Sequence, residues 1–517
     1  MKRLQVHRTL YIVLLCVLVM ALPTSNFVMN MAWVFLGVNW LVEGGFKSKF
    51  SNFHTNYLLQ AFFVLMAVHL LWLIPSSNMA YGLNDIRQKL PLLVVPLVVL
   101  TSKPLQPKEQ HWIFLCYLTS LTVVSVIGLV RYYTIPNLPY RDVIPYISHI
   151  RFSLNLCLAS ILLLYAIWRH RSSPHHYVFS FVAVFFLLLF VFLLFPVLRS
   201  YTALVTFILL FGVLFIVFWN RFNTRIRWAA ILLVLLAVGG SALTYCSVSR
   251  HYYRPCALLQ QPRHAFTANG NPYTFSEDGL MENGNFIAYY VCEPELRSAW
   301  TIVSRVPIDS VTDNGYAIYY TLIRYLNALG CAKDSAAVVA LSPDDVQAIE
   351  HGVANPYYEH SSFIRRSIYA FLFERDNARL FGNIRNFSFG ERSELWRCGW
   401  QVFLQHPLFG TGTGDGVDDL HHYLNNSQSQ LRGTNKHIHN QYLTFLVSFG
   451  LLGMALILFF FLRAWLFCHP SRSLLLTAII TISLVSFISE DTLETLAGVL
   501  FIVTFLSLFS NDSKINT

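Results

Sequence analysis

His439 and Asn440 close a long polar segment, directly before an apolar stretch that begins at Gln441. A neutral imidazole at a membrane surface can accept a proton from an attacking hydroxyl group, because histidine titrates close to neutral pH. Gly450 and Gly453 follow in the apolar stretch, three residues apart, a spacing that lets a neighbouring helix approach closely. The combination predicts a membrane-embedded enzyme with His439 as its general base, supported by Asn440.

Isolated arginines are the second group of candidate residues. Arg199 lies between two long apolar runs, Arg151 opens another, and Arg392 lies in the amphipathic segment ERSELWRCGWQVF. A charge at such a place is costly in a membrane and often functional, although an arginine at a helix end also serves to hold lipid headgroups. Guanidinium groups suit phosphate oxygens. We therefore expect Arg199, Arg392 and Arg151 to bind the diphosphate of a lipid, with Arg397 as the alternative to Arg392.

Three acidic residues, Glu490, Asp491 and Glu494, cluster at the turn between the last two apolar runs. A carboxylate at this place has three possible roles. It orients His439, it binds the hydroxyl group of an acceptor, or it only marks the boundary with water. The three acids are therefore candidate supporting residues.

A metal site is the alternative interpretation of the segment before Gln441. Its candidate ligands are His421, His422, His437, His439, Asp415, Asp418 and Asp419. Histidines at positions i and i+2, such as His437 and His439, converge on one ion only from a strand. We expect no metal and no cofactor here, and treat His437 as a supporting residue.

Four glycines alternate with small residues in HPLFGTGTGDG, residues 406–416. A nucleotide-binding loop of this composition needs a strand before it and a helix after it in a βαβ unit, and that context is absent. We expect instead a flexible connector, or a set of backbone amides near a phosphate.

Composition indicates the fold class. The chain has 517 residues, of which 55% are hydrophobic and 12% charged, against about 25% charged in soluble proteins. Its apolar runs approach the ~20 residues that cross a bilayer, and backbone groups in lipid need internal hydrogen bonds. We predict an all-α polytopic membrane protein. The net charge of +10 is concentrated in short loops, which indicates topology rather than a nucleic-acid partner.

Twelve transmembrane helices are predicted, and the fourth contains Pro91 and Pro96. Their ranges are 9–23, 26–42, 57–75, 90–102, 110–130, 152–168, 177–197, 201–219, 228–246, 441–462, 473–489 and 493–510. The distribution of lysine and arginine in short loops places both termini in the cytoplasm. The predicted domains are helices 1–9 (1–246), an outside loop domain (247–440) with a membrane-proximal catalytic segment (390–440), and helices 10–12 (441–517).

The loop domain is predicted to be folded and mainly helical. TLIRYLNALG (321–330) has helical spacing and a terminal glycine, and Ser342 is a plausible N-cap of a second helix. Residues 283–290 indicate a turn followed by a strand. Five cysteines fall in or beside this domain, so one or two disulfides are possible outside the cytoplasm, and the sequence does not determine their pairing.

The chain resembles the O-antigen ligase and polymerase superfamily of bacterial envelope enzymes. The matching signature is His439-Asn440, nine residues, then Gly450-x-x-Gly453, preceded by Arg392-x-x-x-Trp396 and HPLFGTG. LRSYTALV around Arg199 resembles the outer arginine turn of the family. YISHIRFSL, SEDTLETLAGVLF and the long insert at about 250–380 are similar to the version found in Bacteroidetes.

The resemblance implies a metal-independent, inverting glycosyltransferase of the bacterial inner membrane, with its active site on the periplasmic face. It implies a glycan donor on undecaprenyl diphosphate held by Arg199 and Arg392. The implied acceptor is a sugar hydroxyl of lipid A core, activated by His439, as in an O-antigen ligase. A polymerase or a protein O-oligosaccharyltransferase would share this chemistry. A transporter is disfavoured, because the apolar runs hold few charges along a possible path.

Overall fold

A computed structural model describes residues 2–51, 53–135, 138–169, 176–193, 197–198, 200–221, 223–253, 265–276, 280–312, 315–359, 361–382, 384, 387–468 and 473–513. Arg199 lies outside the described residues, and so does Cys256. The chain divides into two compact units. The first unit is Met1–Phe222 with Glu394–Thr517, and the second unit is Asn223–Ser393. The predicted division at 246/247 and 440/441 concerns the two sides of the membrane, and it stays a prediction.

Helices dominate both units. In chain order they are α1 (Lys2–Ala21), α2 (Asn26–Glu43), α3 (Phe46–Phe50), α4 (Tyr57–Leu71), α5 (Met79–Lys89), α6 (Pro91–Thr101), α7 (Pro107–Thr134), α8 (His149–Arg169), α9 (His176–Phe192), α10 (Tyr201–Val217), α11 (Thr224–Tyr252), α12 (Glu293–Val303), α13 (Ile318–Leu329), α14 (Ser335–Val339), α15 (Pro343–Glu350), α16 (Pro356–Glu359), α17 (Phe363–Phe381), α18 (Ser388–Gln405), α19 (Gly416–Asn426), α20 (Gln441–Cys468), α21 (Leu474–Ser489) and α22 (Leu496–Ser513).

Every predicted transmembrane range overlaps a helix among the described residues. Among the described residues, five helices are long and apolar enough to cross a membrane, namely α1, α7, α8, α11 and α20, and the bent pair of α2 with the segment Phe46–Thr55 would add a sixth. Five further apolar helices are shorter: α4, α9, α10, α21 and α22. The all-α character is confirmed, whereas the number of twelve spans and their orientation stay predictions.

The core of the first unit forms where apolar helices pack side by side. α1 packs against α2 and α7, α4 against α20, α6 against α22, and α21 against both α8 and α10. Leu15, Phe505 and Phe509 are fully buried in this core, while Phe27 and Phe35 are exposed on its surface. Apolar side chains on both faces are typical of helices whose surrounding solvent is lipid.

Gly450 breaks α20. Its backbone has φ +63° and ψ −168°, which is non-helical, and an added Cβ would lie 2.4 Å from the carbonyl oxygen of Leu408. The backbone N–H groups of Leu451 and Leu452 donate to the carbonyls of Pro407 and Leu408 at 2.9 and 3.1 Å. Glycine is therefore required at position 450 because the helix breaks there. The predicted role, close packing of a neighbouring helix, is wrong for Gly450.

Gly453 does allow a close approach, as predicted. A Cβ at this position would lie 3.3 Å from Trp72 and 3.4 Å from Val68, at the end of α4. The two glycines of the signature therefore have different roles in the same helix.

The second unit is helical with four short strands, β1 (Thr274–Phe275), β2 (Met281–Glu282), β3 (Asn285–Phe286) and β4 (Tyr289–Val291). β1 pairs antiparallel with β4, and β2 with β3, which confirms the predicted turn and strand. Its core contains the buried residues Trp300, Leu322 and Leu372. α13 ends at Gly330 in a left-handed conformation, and Ser342 caps α15, as predicted.

The described cysteines of the predicted loop domain are free thiols: Cys246, Cys292, Cys331 and Cys398.

Candidate active site at the start of α20

The backbone of His439 is left-handed, with φ +55°. Few residues other than glycine adopt this conformation, and it costs free energy unless neighbouring contacts stabilise it. Asp491 supplies those contacts. Its Oδ2 accepts a hydrogen bond from the backbone N–H of His439 at 2.7 Å, and its Oδ1 accepts from the N–H of Asn440 at 3.0 Å and from the hydroxyl of Thr444 at 2.8 Å.

Asn440 begins α20. Its side-chain oxygen accepts from the backbone N–H of Leu443 at 3.0 Å, which is the hydrogen bond of an N-cap. The turn at Asp491 and the cap at Asn440 together fix the direction in which the chain leaves His439.

Asp491 is a buried carboxylate, only 6% exposed. Burial raises the pKa of Asp491, and the negative charge of Glu494 raises it further, while the hydroxyl of Thr444 and the backbone N–H of His439 oppose the rise. The net rise in the pKa of Asp491 is therefore caused by burial and by Glu494, and the contacts with the backbone of His439 only reduce it.

Lys89, Asp85 and Glu494 form a buried ionic cluster next to this turn. The ammonium group of Lys89, 3% exposed, lies 2.9 Å from Asp85 and 2.8 Å from Glu494. Gln441 joins the cluster to α20: its amide donates to Glu494 at 2.9 Å and its carbonyl accepts from the N–H of Leu493 at 2.8 Å. The cluster therefore ties α5, the 491–494 turn and the start of α20 together.

Lys89 and Asp85 were not predicted from the sequence as site residues. Their spacing of four residues on one helix, directly before Pro91, is a signal for an ion pair. The third member, Glu494, lies 405 residues further along the chain, and no local pattern identifies it as the partner.

Protonation differs within the cluster. Burial lowers the pKa of Lys89, but the two carboxylates outweigh that effect and raise it. Burial also acts to raise the pKa of Glu494, but Lys89 and the amide of Gln441 hold it at about 2. Burial raises the pKa of Asp85 to about 7, with Lys89 opposing the rise and Glu494 adding to it. Lys89 and Glu494 are thus a fixed pair of charges, whereas Asp85 keeps its proton to a higher pH than an ordinary aspartate does.

A cavity of about 30 Å³ connects the cluster with the His439 turn. Its polar lining includes Tyr81, Asp85, Lys89, His437, Asp491 and Glu494. A polar space of this size holds one or two water molecules.

Arg151 lies in the first turn of α8, which packs against α21. Its Nε is buried and has no hydrogen-bond partner among the described residues. The negative charges of Glu490 and Asp491 favour the positive charge of its guanidinium group. At the same end of α21, the hydroxyl of Ser489 lies 3.1 Å from that of Thr202 in the first turn of α10. The structure therefore brings Arg151 and the acidic turn that holds His439 together. Arg199, the third predicted arginine, lies outside the residues that the structure describes.

Arg397 is held by Glu394. Its guanidinium donates two hydrogen bonds to that carboxylate, at 2.8 and 2.7 Å, and these bonds raise the pKa of Arg397. An arginine with this partner is a weaker candidate for a diphosphate than one without it. Arg392 lies on the same helix, α18, in the part that belongs to the second unit.

The glycine-rich segment 406–416 is neither a flexible connector nor a free set of amides, contrary to our expectation. Its backbone N–H groups donate to groups of the protein: Thr411 to Val447, Gly412 to Ser448, Thr413 to Trp72 and Gly414 to the hydroxyl of Ser76, all at 2.9–3.0 Å. These amides are already satisfied, so they do not bind a phosphate.

Metal ligands are not grouped in the described residues: no three His, Cys, Asp or Glu side chains there lie close enough to hold one ion. One of the candidate ligands, His421, is instead hydrogen-bonded to the carbonyl of Lys436 at 3.1 Å.

The fold and the site define a class: a multi-helix membrane protein with a polar, partly buried site at the start of one long apolar helix. Residues 360–458 match the family model described as O-antigen ligase. This segment holds Arg392, His439 and both glycines of the signature, so it confirms the resemblance and supports membership of the chain in the O-antigen ligase superfamily. The match implies a membrane glycosyltransferase-like enzyme. Among curated proteins, no sequence matches this chain.

Proposed function

We propose that this protein is an inverting glycosyltransferase of the bacterial inner membrane. It moves a glycan from undecaprenyl diphosphate to a sugar hydroxyl of lipid A core, which is the reaction of an O-antigen ligase. The observation that carries the proposal is the Asp491 carboxylate, which holds the left-handed backbone of His439 and whose negative charge also acts on Arg151. The family match at 360–458 supports it.

His439 acts as the base. The acceptor hydroxyl oxygen attacks the anomeric carbon of the donor sugar from the face opposite the diphosphate, while His439 accepts the hydroxyl proton. The bond between that carbon and the diphosphate oxygen breaks, and undecaprenyl diphosphate leaves with the electron pair. The configuration at the anomeric carbon is thereby inverted.

Arginines stabilise the leaving group in place of a metal ion. Arg151, Arg199 and Arg392 neutralise the charge that develops on the diphosphate as the bond breaks. Arg151 suits this role because its buried Nε has a hydrogen bond left to give.

The acidic turn has a supporting role. Asp491 holds the backbone N–H of His439, and the negative charge of Glu490 acts on Arg151. Glu494 and Lys89 hold the turn in place from the other side. Both termini lie in the cytoplasm, so the His439 end of the bundle faces the periplasm.

A deletion strain tests the proposal through its lipopolysaccharide ladder. The proposal predicts the loss of all polymer on lipid A core. Chains with a single repeat unit would identify a polymerase instead, and unchanged lipopolysaccharide with missing periplasmic glycoproteins would identify a protein transferase. Absence of glycosyl transfer by the purified protein would favour a transporter.

Complementation of that strain tests the arginines. Arg151→Ala, Arg199→Ala and Arg392→Ala should each fail to restore the ladder while the protein still reaches the membrane. Arg397→Ala is the matched control, because Arg397 is exposed and already paired with Glu394; it should restore the ladder. Restoration by all three other variants would overturn the proposed diphosphate site.

A further inference from the structure

A second cavity lies at the far end of α8 from Arg151. It is a crevice of about 720 Å³ between α7, α8 and α9, within the range of about 300–1,000 Å³ that is typical of ligand sites. Most of its lining is apolar, including Leu115, Leu118, Leu162, Phe186 and Phe190. A crevice of this shape and chemistry accommodates a hydrocarbon chain.

The mouth of the crevice is basic. Lys108, His111 and Arg169 line it together, and none of the described lining residues is acidic. The nearest acid along the chain, Glu109, points away from the crevice and pairs with Arg8 on α1. Positive charge at the mouth is therefore uncompensated by the residues that line it.

Two exposed tryptophans mark the same end of the helices. Trp112 on α7 is 59% exposed and Trp168 on α8 is 53% exposed. Tryptophan is enriched at the level of lipid headgroups, so the basic mouth lies where the phosphate of a bilayer lipid would lie.

We propose that the crevice binds one anionic phospholipid of the bilayer. Its phosphate contacts Lys108, His111 and Arg169, and an acyl chain fills the apolar part between α7 and α9. Basic pockets between transmembrane helices are known to recognise anionic headgroups in this way. The bound lipid holds α9 against its neighbours on a side where the packing of protein alone leaves a gap.

This lipid is distinct from the proposed glycan donor. Arg169 lies 18 residues (169 − 151) along α8 from Arg151, which is about 27 Å at 1.5 Å per residue. That distance is close to the ~30 Å thickness of the hydrocarbon core. The two phosphate-binding ends therefore serve opposite leaflets, and the inference does not depend on the proposed function.

Lipid binding to the purified full-length protein tests the inference, with native mass spectrometry as the readout. Phosphatidylglycerol should bind several-fold more tightly than phosphatidylcholine. Lys108→Gln and Arg169→Gln should each weaken phosphatidylglycerol binding about five-fold, and the double variant about 25-fold, as expected for the loss of one and two cations at an anionic headgroup. The charge-matched control is Lys47→Gln with Lys103→Gln, two exposed lysines outside the crevice, and it should bind as the wild type does.

A second variant tests the apolar part. Ala166→Trp fills the crevice and should reduce the retention of phosphatidylglycerol, whereas Val126→Trp, at an exposed position of the same helix bundle outside the crevice, should not. Equal binding of the two phospholipids, or unchanged binding by the double glutamine variant, would overturn the inference. Tighter binding of a polyprenyl phosphate than of phosphatidylglycerol would also overturn it.

Discussion

Both units of this protein bury carboxylates, and they use them differently. In the second unit, Glu282 is fully buried and accepts from Arg324 at 2.9 and 3.1 Å and from Asn355 at 3.0 Å. Burial acts to raise the pKa of Glu295 in the same unit, but hydrogen bonds from neighbouring side chains hold it at about 2. In the first unit, burial raises the pKa of Asp491.

The difference lies in what each carboxylate holds. Glu282 and Glu295 are satisfied by side chains of their own unit, and so they serve the fold. The carboxylate oxygens of Asp491 accept hydrogen bonds from the backbone N–H groups of His439 and Asn440. Among the described residues, Asp491 forms no ion pair. Its negative charge also acts on Arg151. A buried acid with a raised pKa next to a strained histidine is typical of a functional site.

Lys89→Met should have the largest effect on stability. The variant leaves Asp85 and Glu494 buried without their cation, which costs about 3–5 kcal/mol when one partner of a buried ion pair is removed. Thermal unfolding in detergent measures the loss, with the exposed Lys103→Met as the control. A melting temperature equal to that of the control would show that the cluster does not stabilise the turn.

Asp491→Asn should separate the site from the fold. An amide cannot accept from both backbone N–H groups, so one buried donor loses its bond, at a cost of about 1–3 kcal/mol. The loss of this bond displaces His439. The kcat should therefore decrease about 10-fold to 100-fold, while the KM for the donor changes little.

Glu282→Gln is the matched comparison for that variant, because it also replaces a buried carboxylate by an amide. It should lower the stability of the protein and leave kcat unchanged at a permissive temperature. An equal decrease of kcat in both variants would contradict the proposed difference between a carboxylate that serves the site and one that serves the fold.

Asp85→Asn should have the smallest effect, on the pH dependence of stability. The pKa of Asp85 is raised in the folded protein to about 7 from an ordinary 3.8. Its contribution to stability is therefore fully present below pH ~4 and is lost as the pH rises through 7. Glu494, with its lowered pKa, changes stability only below about pH 4.5.

The wild type should therefore lose stability between about pH 4 and pH 7, and Asp85→Asn should flatten that profile. Parallel profiles for the two proteins would show that Asp85 does not titrate in this range.

The helices were predictable because their signals are local. Each span predicted from an apolar run overlaps a helix. The glycine that ends α13 and the serine that caps α15 were also predicted correctly. The role of Gly450 was not predicted correctly. In the sequence, a pair of glycines in an apolar run looks the same whether it lets a neighbouring helix pack closely or breaks its own helix. The break depends on Leu408, whose backbone lies against it.

The candidate site was predictable in part. His439, Arg151 and Asp491 were singled out from their positions at the ends of apolar runs, and their roles in the reaction stay predictions. The contact of Asp491 with the backbone of His439, and the cluster around Lys89, depend on residues that are far apart in the chain. Such pairs carry no periodic or motif signal, so only the folded structure reveals them.

His439→Asn tests the central claim most directly. Asparagine tolerates a left-handed backbone, so the variant keeps the turn at Asp491 and removes only the base. The measurement is glycosyl transfer by the purified protein with a lipid-linked donor, and His422→Asn, at an exposed histidine of α19, is the control. Loss of a base of this kind should lower the rate by about 10²–10⁴-fold, with the control close to wild type. Transfer at the wild-type rate by His439→Asn would contradict the assignment of His439 as the base.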